Sequence, residues 1–86
     1  MNNMEVRELM KEFTDHTMLR IAAQNLVGAG WTPEDEDELR ERHFEDIKEK
    51  AEEIGYELTE DDLWEVSKGF KFLLNGIKEA YESDND

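Results

Sequence analysis

The chain has 86 residues, no cysteine, and 24 acidic against 10 basic residues, which gives a formal net charge of −14. A chain of this length buries only a small core, and the absence of cysteine excludes disulfides and thiolate metal sites as its support. The charge argues against nucleic acid and anionic membranes as direct partners, because their phosphates carry the same sign.

The first predicted helix covers residues 4–27 and ends at a Gly-Ala-Gly sequence. Its apolar residues form two stripes, one around Phe13 and one around Leu19, that are rotated relative to each other. Thr14 or Asp15 can cap a new helix where the stripes meet. We therefore expect either a kink or a break at this point.

The second predicted helix covers residues 33–54. Thr32 is a suitable N-cap, and Pro33 fits the first helical position, where its missing N–H is not needed. Gly55 predicts a left-handed stop. The apolar positions recur every three or four residues: Leu39, His43, Ile47, Ala51 and Ile54.

The third predicted helix covers residues 60–82. Thr59 and Asp62 have the spacing of a capping box at its start. Gly69 and Gly76 lie seven residues apart on one face, which predicts a close helix crossing, either within the chain or between two copies. The core stripe of this helix consists of Leu63, Val66, Phe70, Leu73, Leu74, Ile77 and Tyr81.

Three amphipathic helices with short connections predict an all-α protein, a small three-helix bundle whose first helix is kinked or split. We expect one domain over residues 1–86, with a short disordered tail at 83–86. No uncharged stretch is long enough to cross a membrane, and no secretory signal is recognisable. The sequence therefore predicts a cytoplasmic protein.

The negative charge is concentrated in the middle of the chain. Residues 33–65 contain 16 acids and four bases, a net of −12, whereas residues 1–32 and 66–86 each have a net of −1. A step of 100° per residue places the acids of the second helix outside its apolar stripe. These acids are Glu34, Asp35, Asp37, Glu38, Glu41, Glu45, Asp46, Glu49, Glu52 and Glu53.

Two interpretations of this acidic face remain open. It is either a solvated surface that serves solubility, or a recognition surface for a basic protein that also includes Glu60 and Asp61 at the start of the third helix. Rows of carboxylates can imitate nucleic-acid phosphates, and small acidic proteins of phages and mobile elements resemble this chain in type. The target is then a protein that handles nucleic acid.

Trp64 lies off the main stripe of the third helix. Packing against another helix or the connecting turn is the favoured interpretation, and an exposed anchor in the partner-binding surface is the alternative. Trp31 is expected to cover the end of the core, and His43 is expected to be half-buried.

Catalytic and metal-binding motifs are not recognisable. The chain has no glycine-rich phosphate loop, no supported nucleophile arrangement, no calcium loop and no His-Glu-x-x-His motif. A helix-turn-helix pattern around Gly55 is opposed by the acids at the start of its second helix, which would face phosphates. We therefore expect no enzyme activity, no cofactor and no metal.

The leading hypothesis is a non-enzymatic acidic protein that binds, and inhibits or modulates, a protein with a basic surface. The alternative is a self-associating structural or adaptor module whose acidity serves solubility alone. A homodimer through the first or third helix is compatible with either hypothesis.

Overall fold

A computed structural model describes residues 3–84, which contain four α-helices, one short 3₁₀ helix and no strand. The all-α class is confirmed. The predicted count of three helices is wrong, because the first predicted helix is divided into two. The helices are α1 (Asn3–Thr14), α2 (His16–Gly28), a 3₁₀ helix (Pro33–Asp35), α3 (Glu36–Glu53) and α4 (Glu60–Asp84).

Asp15 separates α1 from α2. Its backbone is extended, with φ −76° and ψ 127°. Its carboxylate accepts hydrogen bonds from the backbone N–H groups of Thr17 and Met18, at 2.9 and 3.1 Å. These are N–H groups that a helix start leaves without a partner inside the helix. Of the two outcomes expected at this point, the structure therefore has the break, and Asp15 is the cap.

Replacing Asp15 tests this cap. We expect Asp15→Ala to lower the free energy of unfolding by about 1 kcal/mol, because two N–H groups lose their acceptor. Asp15→Asn keeps a side-chain oxygen at the same place and should cost less than half as much. Urea denaturation followed by circular dichroism measures both. Equal stability of the wild type and Asp15→Ala would contradict the role of the cap.

The later helix boundaries follow the predicted caps. The Asp35 carboxylate accepts from the N–H of Thr32 at 3.0 Å, and the 3₁₀ helix leads directly into α3. At the start of α4, the Thr59 N–H donates to Asp62 Oδ2 at 3.0 Å, and the Asp62 N–H donates to Thr59 Oγ1 at 3.1 Å. Gly55 ends the α3 turn with φ 70°, a conformation that favours glycine.

The C-terminal helix is longer than predicted. It continues to Asp84, so Ser83 and Asp84 belong to its last turn. The rest of the tail predicted at 83–86, residues 85 and 86, lies outside the described residues.

Helix α4 is the platform on which the other helices pack. One core cluster joins residues of α2 and α3 to α4, and a second joins α1 and α3 to α4. Every buried apolar residue belongs to a stripe predicted from the sequence. The first cluster consists of Leu19, Ala23, Leu39, Phe70, Leu73 and Ile77. The second consists of Leu9, Phe13, Ile47, Ala51 and Val66.

The two glycines of α4 mark a close crossing within the chain. A Cβ at Gly69 would collide with the backbone carbonyl oxygen of Phe13 at the end of α1, and a Cβ at Gly76 would lie 2.9 Å from the Cβ of Ala23 in α2. The predicted crossing is therefore intramolecular. Glycine is required at position 69 because the backbone of Phe13 occupies the space of a side chain, and at position 76 the side chain of Ala23 restricts that space.

Helices α2 and α3 both lie against α4, but they do not lie against each other. Within residues 3–84, no Cα atom of α2 comes within 8 Å of a Cα atom of α3. The space between them forms a groove. None of the described helices combines the length and the apolar character that a membrane crossing requires.

Candidate partner-binding surface

Five glutamates line the side of α3 that faces away from the core. They recur every three or four residues, so the helical step of 100° places them within a narrow sector opposite Ile47 and Ala51. All five side chains are exposed. We refer to them as the acidic ridge: Glu38, Glu41, Glu45, Glu49 and Glu52.

The acidic ridge is not neutralised by the chain itself. Within residues 3–84, no Lys, Arg or His nitrogen forms a salt bridge with any of its five carboxylates. At 1.5 Å per residue, the ridge extends over roughly 21 Å, which is about one charge per 5 Å of helix axis. Unpaired like charges on one helix face repel each other, so this arrangement costs stability and attracts cationic groups.

Three other acids of the predicted surface have structural partners. Asp35 is half-buried and accepts the Thr32 hydrogen bond described above. Asp37 forms a salt bridge of 3.3 Å with Arg40, and Asp46 forms one of 3.5 Å with Lys50. These three residues are therefore less available to a partner than the acidic ridge.

Glu34 and Glu53 are exposed near the two ends of the ridge helix, and the structure gives neither an ion pair among residues 3–84. Glu34 lies in the 3₁₀ helix, and Glu53 is the last residue of α3. Both add unneutralised negative charge near the ends of α3.

The predicted residues of α4 form a separate group. Glu60 and Asp61 are exposed in its first turn, and Trp64 is 59% exposed one turn later. This exposure contradicts the favoured interpretation of Trp64 as a packed residue. The Nζ atom of Lys68 lies 5.7 Å from the centre of the indole ring. No hydrogen bond or ion pair joins these three residues to the described part of α3.

Lys50 connects α3 to α1. Its Nζ lies 2.5 Å from Glu12 Oε1 of α1, and this hydrogen bond, reinforced by the charge of Asp46, raises the pKa of Lys50. The lysine therefore stays charged and holds two carboxylates. Because Glu12 and Lys50 are 38 positions apart, the sequence contains no local signal for this pair.

The groove between α2 and α3 has a volume of about 560 Å³. Its floor consists of buried apolar residues from all four helices. The α3 wall carries carboxylates, and the α2 wall carries none. The floor residues are Phe13, Leu19, Leu39 and Leu73. The α3 wall contributes Arg42, Glu45, Asp46 and Glu49, and the α2 wall consists of Ala22, Asn25 and Leu26. Glu12 of α1 also lines the groove.

His43 also lines this groove and is half-buried, as predicted. Its ring centre lies 5.1 Å from that of Phe13 and 5.4 Å from that of Phe70. Burial lowers the pKa of His43 to about 4, against the opposite effect of the Asp46 carboxylate. The buried Nε2 atom has no hydrogen-bond partner within the described residues. The imidazole is therefore neutral at pH 7.

Trp31 covers one end of the core, as predicted. It packs against the first core cluster, and the Arg42 guanidinium lies 5.0 Å from its ring centre. This contact keeps the positive charge of Arg42 beside the indole, where cation–π attraction holds it, and no salt bridge joins Arg42 to the ridge among residues 3–84.

The arrangement can bind cationic and apolar groups side by side. In the described range, no cluster of three or more His, Asp and Glu side chains has the geometry of a metal site. Sequence reasoning identified the exposed glutamates but missed the groove and Glu12, because both depend on how distant helices pack.

No protein-family model, curated protein or solved structure matches this chain.

Proposed function

We propose that this chain acts by binding, without catalysing a reaction, and that its partner is a protein with a positively charged surface whose activity it inhibits or modulates. The observation that carries the proposal is the acidic ridge, which has five exposed carboxylates without ion pairs on one side of a helix anchored to the core. Complementary charge increases the rate of encounter and selects among partners.

The arrangement of the charge supports this proposal. A protein that needs only solubility can intersperse positive and negative side chains over its surface. Here the ridge keeps its charges unpaired, whereas Arg40 and Lys50 of the same helix are bound to other acids. The repulsion retained along the ridge supports a role outside the folded chain.

A protein that handles nucleic acid is the narrower form of this proposal. The ridge carries one charge per roughly 5 Å, against about 3.4 Å for the phosphates of one DNA strand. The ridge therefore carries fewer charges per unit length than a nucleic-acid strand. A nucleic-acid-binding groove that accepted the ridge would leave some of the groove's own basic residues without a carboxylate.

Reversing part of the ridge tests the proposal. We expect the combined substitutions Glu45→Lys, Glu49→Lys and Glu52→Lys to weaken partner binding at least about a hundredfold, because attraction becomes repulsion. The matched control is Glu8→Lys, Glu79→Lys and Glu82→Lys, which changes the same number of exposed charges elsewhere. Both variants have a net charge of −8, since three reversals add six to −14.

The measurement is affinity capture from a lysate with wild type and both variants at low and high salt, followed by identification of the captured proteins. We expect a basic protein that is retained by the wild type and the control, is lost with the ridge variant, and is released by high salt. If the partner is a protein that handles nucleic acid, added nucleic acid should compete with this chain for the captured protein. An unchanged set of proteins on the ridge variant, with its helical circular dichroism intact, would refute the proposal.

A self-associating module is the second candidate, and it is supported by exposed aromatic residues. Trp64 is 59% exposed and Phe72 is 47% exposed. Apolar contact between copies would be insensitive to salt, whereas charge recognition weakens as salt rises. Sedimentation at the same two salt concentrations separates the two candidates.

A further inference from the structure

The two walls of the α2–α3 groove have different chemistry. Glu45 and Glu49 lie one helical turn apart on the α3 wall and have no ion pair among residues 3–84. The facing helix α2 contains no acidic residue. Two exposed apolar side chains, Met18 at 43% and Ile21 at 53% exposure, also belong to α2, and the helical step of 100° places Met18 on the same face as Asn25 of the groove wall.

The floor between these walls is apolar. Phe13, Leu19, Leu39 and Leu73 contribute buried side chains to it, and its volume of about 560 Å³ is large enough for a few side chains. An occupant therefore meets apolar surface below, Ala22 and Leu26 with the neutral Asn25 on the α2 side, and mainly carboxylates on the α3 side. Arg42, the one cation of the groove lining, lies against the Trp31 ring.

From this asymmetry we infer that the groove binds an amphipathic, positively charged helix of the partner protein. Apolar residues of that helix, spaced three and four positions apart, contact the floor and the α2 wall, and its Lys or Arg side chains contact Glu45 and Glu49. The inference rests on the proposed function and specifies which segment of the basic partner is recognised.

Other occupants fit the groove less well. A second copy of this chain would bring another net charge of −14 against the same carboxylates. A neutral apolar ligand would leave Glu45 and Glu49 without partners, and a small polyamine would leave the apolar floor uncovered. An amphipathic basic helix satisfies both walls.

The probe is a labelled synthetic helix of about 18 residues built from leucine and lysine, with leucine at positions i, i+3, i+4 and i+7. A scrambled peptide has the same composition and charge without an apolar face. Fluorescence anisotropy gives the dissociation constant for the full chain and its variants, and circular dichroism checks their folding.

Paired charge variants separate the groove from general attraction. We expect Glu45→Gln with Glu49→Gln to weaken binding of the helical peptide about tenfold. Glu41→Gln with Glu52→Gln removes the same charge from two ridge residues that do not line the groove, and it should weaken binding less than about twofold. Equal weakening by both pairs would overturn the inference that the peptide binds in the groove, and it would indicate binding to a diffuse acidic surface.

Charge-neutral variants test the apolar part. Asn25 is exposed on the α2 wall, so Asn25→Phe obstructs the groove without changing the charge, and we expect about tenfold weaker binding. Met18→Gln removes an exposed apolar contact and is an independent check if Asn25→Phe does not fold. Full affinity in a folded variant, or equally tight binding of the scrambled peptide or of spermidine, would overturn the inference.

A displacement experiment distinguishes the failure of this inference from the failure of the proposed function. The helical peptide in excess should release the partner captured through the acidic ridge. If a ridge-dependent partner stays bound, the inference that its helix occupies the groove is overturned, and the proposed function is not contradicted. A dimer of the chain that Asn25→Phe dissociates would show that a second copy is the occupant and would also overturn the inference.

Discussion

Gly69→Ala is expected to lower the free energy of unfolding by about 3 kcal/mol or more, the largest effect of any single substitution considered for this chain. The added Cβ collides with the carbonyl oxygen of Phe13, which is backbone and cannot move aside as a flexible side chain can. Alanine's better helix propensity returns only about 1 kcal/mol of this cost. The midpoint of thermal unfolding should fall by roughly 12 °C or more.

Gly28 provides the matched control for this prediction. It ends α2, and a Cβ there meets nothing within 4 Å, so Gly28→Ala should be neutral or slightly stabilising. Gly76→Ala should be intermediate, because its Cβ meets the Cβ of Ala23 at 2.9 Å. If Gly69→Ala and Gly28→Ala unfold at the same temperature, α1 and α4 do not cross as closely as the structure indicates.

The second large effect is a loss of stability in acid that depends on His43. Its pKa is about 4 in the folded chain and 6.5 as a model value. As the pH falls from 6.5 to 4, the unfolded chain takes up a proton that the folded chain does not, so the folded state loses up to about 3 kcal/mol. Above pH 6.5 His43 contributes no pH dependence.

Carboxylates titrate in part of the same pH range. The contribution of His43 is therefore measured by comparing the pH dependence of the free energy of unfolding between variants and the wild type. His43→Phe retains an aromatic ring between Phe13 and Phe70 and removes the titration, and its stability should fall less between pH 6.5 and 4. His16→Asn, which changes the exposed histidine, should follow the wild type. Urea denaturation at each pH gives the curves, and parallel curves for His43→Phe and the wild type would contradict the prediction.

The sequence predicted those parts of the fold that depend on local chemistry. The cap pair Thr59 and Asp62, the stop at Gly55 and the apolar stripes are all set by residues within a few positions of each other. The break at Asp15 was left open, because the same residues are compatible with a kinked helix and with two helices. In the structure the break is seen in the extended backbone of Asp15 and in its hydrogen bonds to the N–H groups of Thr17 and Met18.

Of the candidate site, only the exposed acidic face of α3 could be predicted from the sequence. The outward position of Glu41 and Glu45 follows from helix periodicity. The ion pair between Lys50 and Glu12, and the groove beside α3, depend on which helices meet and which do not. Exposure of Trp64 was also unpredictable, since a position at the edge of a helical stripe is compatible with both burial and exposure.

The central position of α4 has a consequence for how the chain acquires its structure during synthesis. Among the four described helices, α4 leaves the ribosome after α1, α2 and α3. Until then, Leu19 lacks its α4 neighbours Phe70, Leu73 and Ile77, and the cluster of Phe13 and Ile47 lacks Val66, so both core clusters are incomplete. The complete tertiary structure therefore forms only after α4 has emerged, and chaperones can bind the nascent chain before that point.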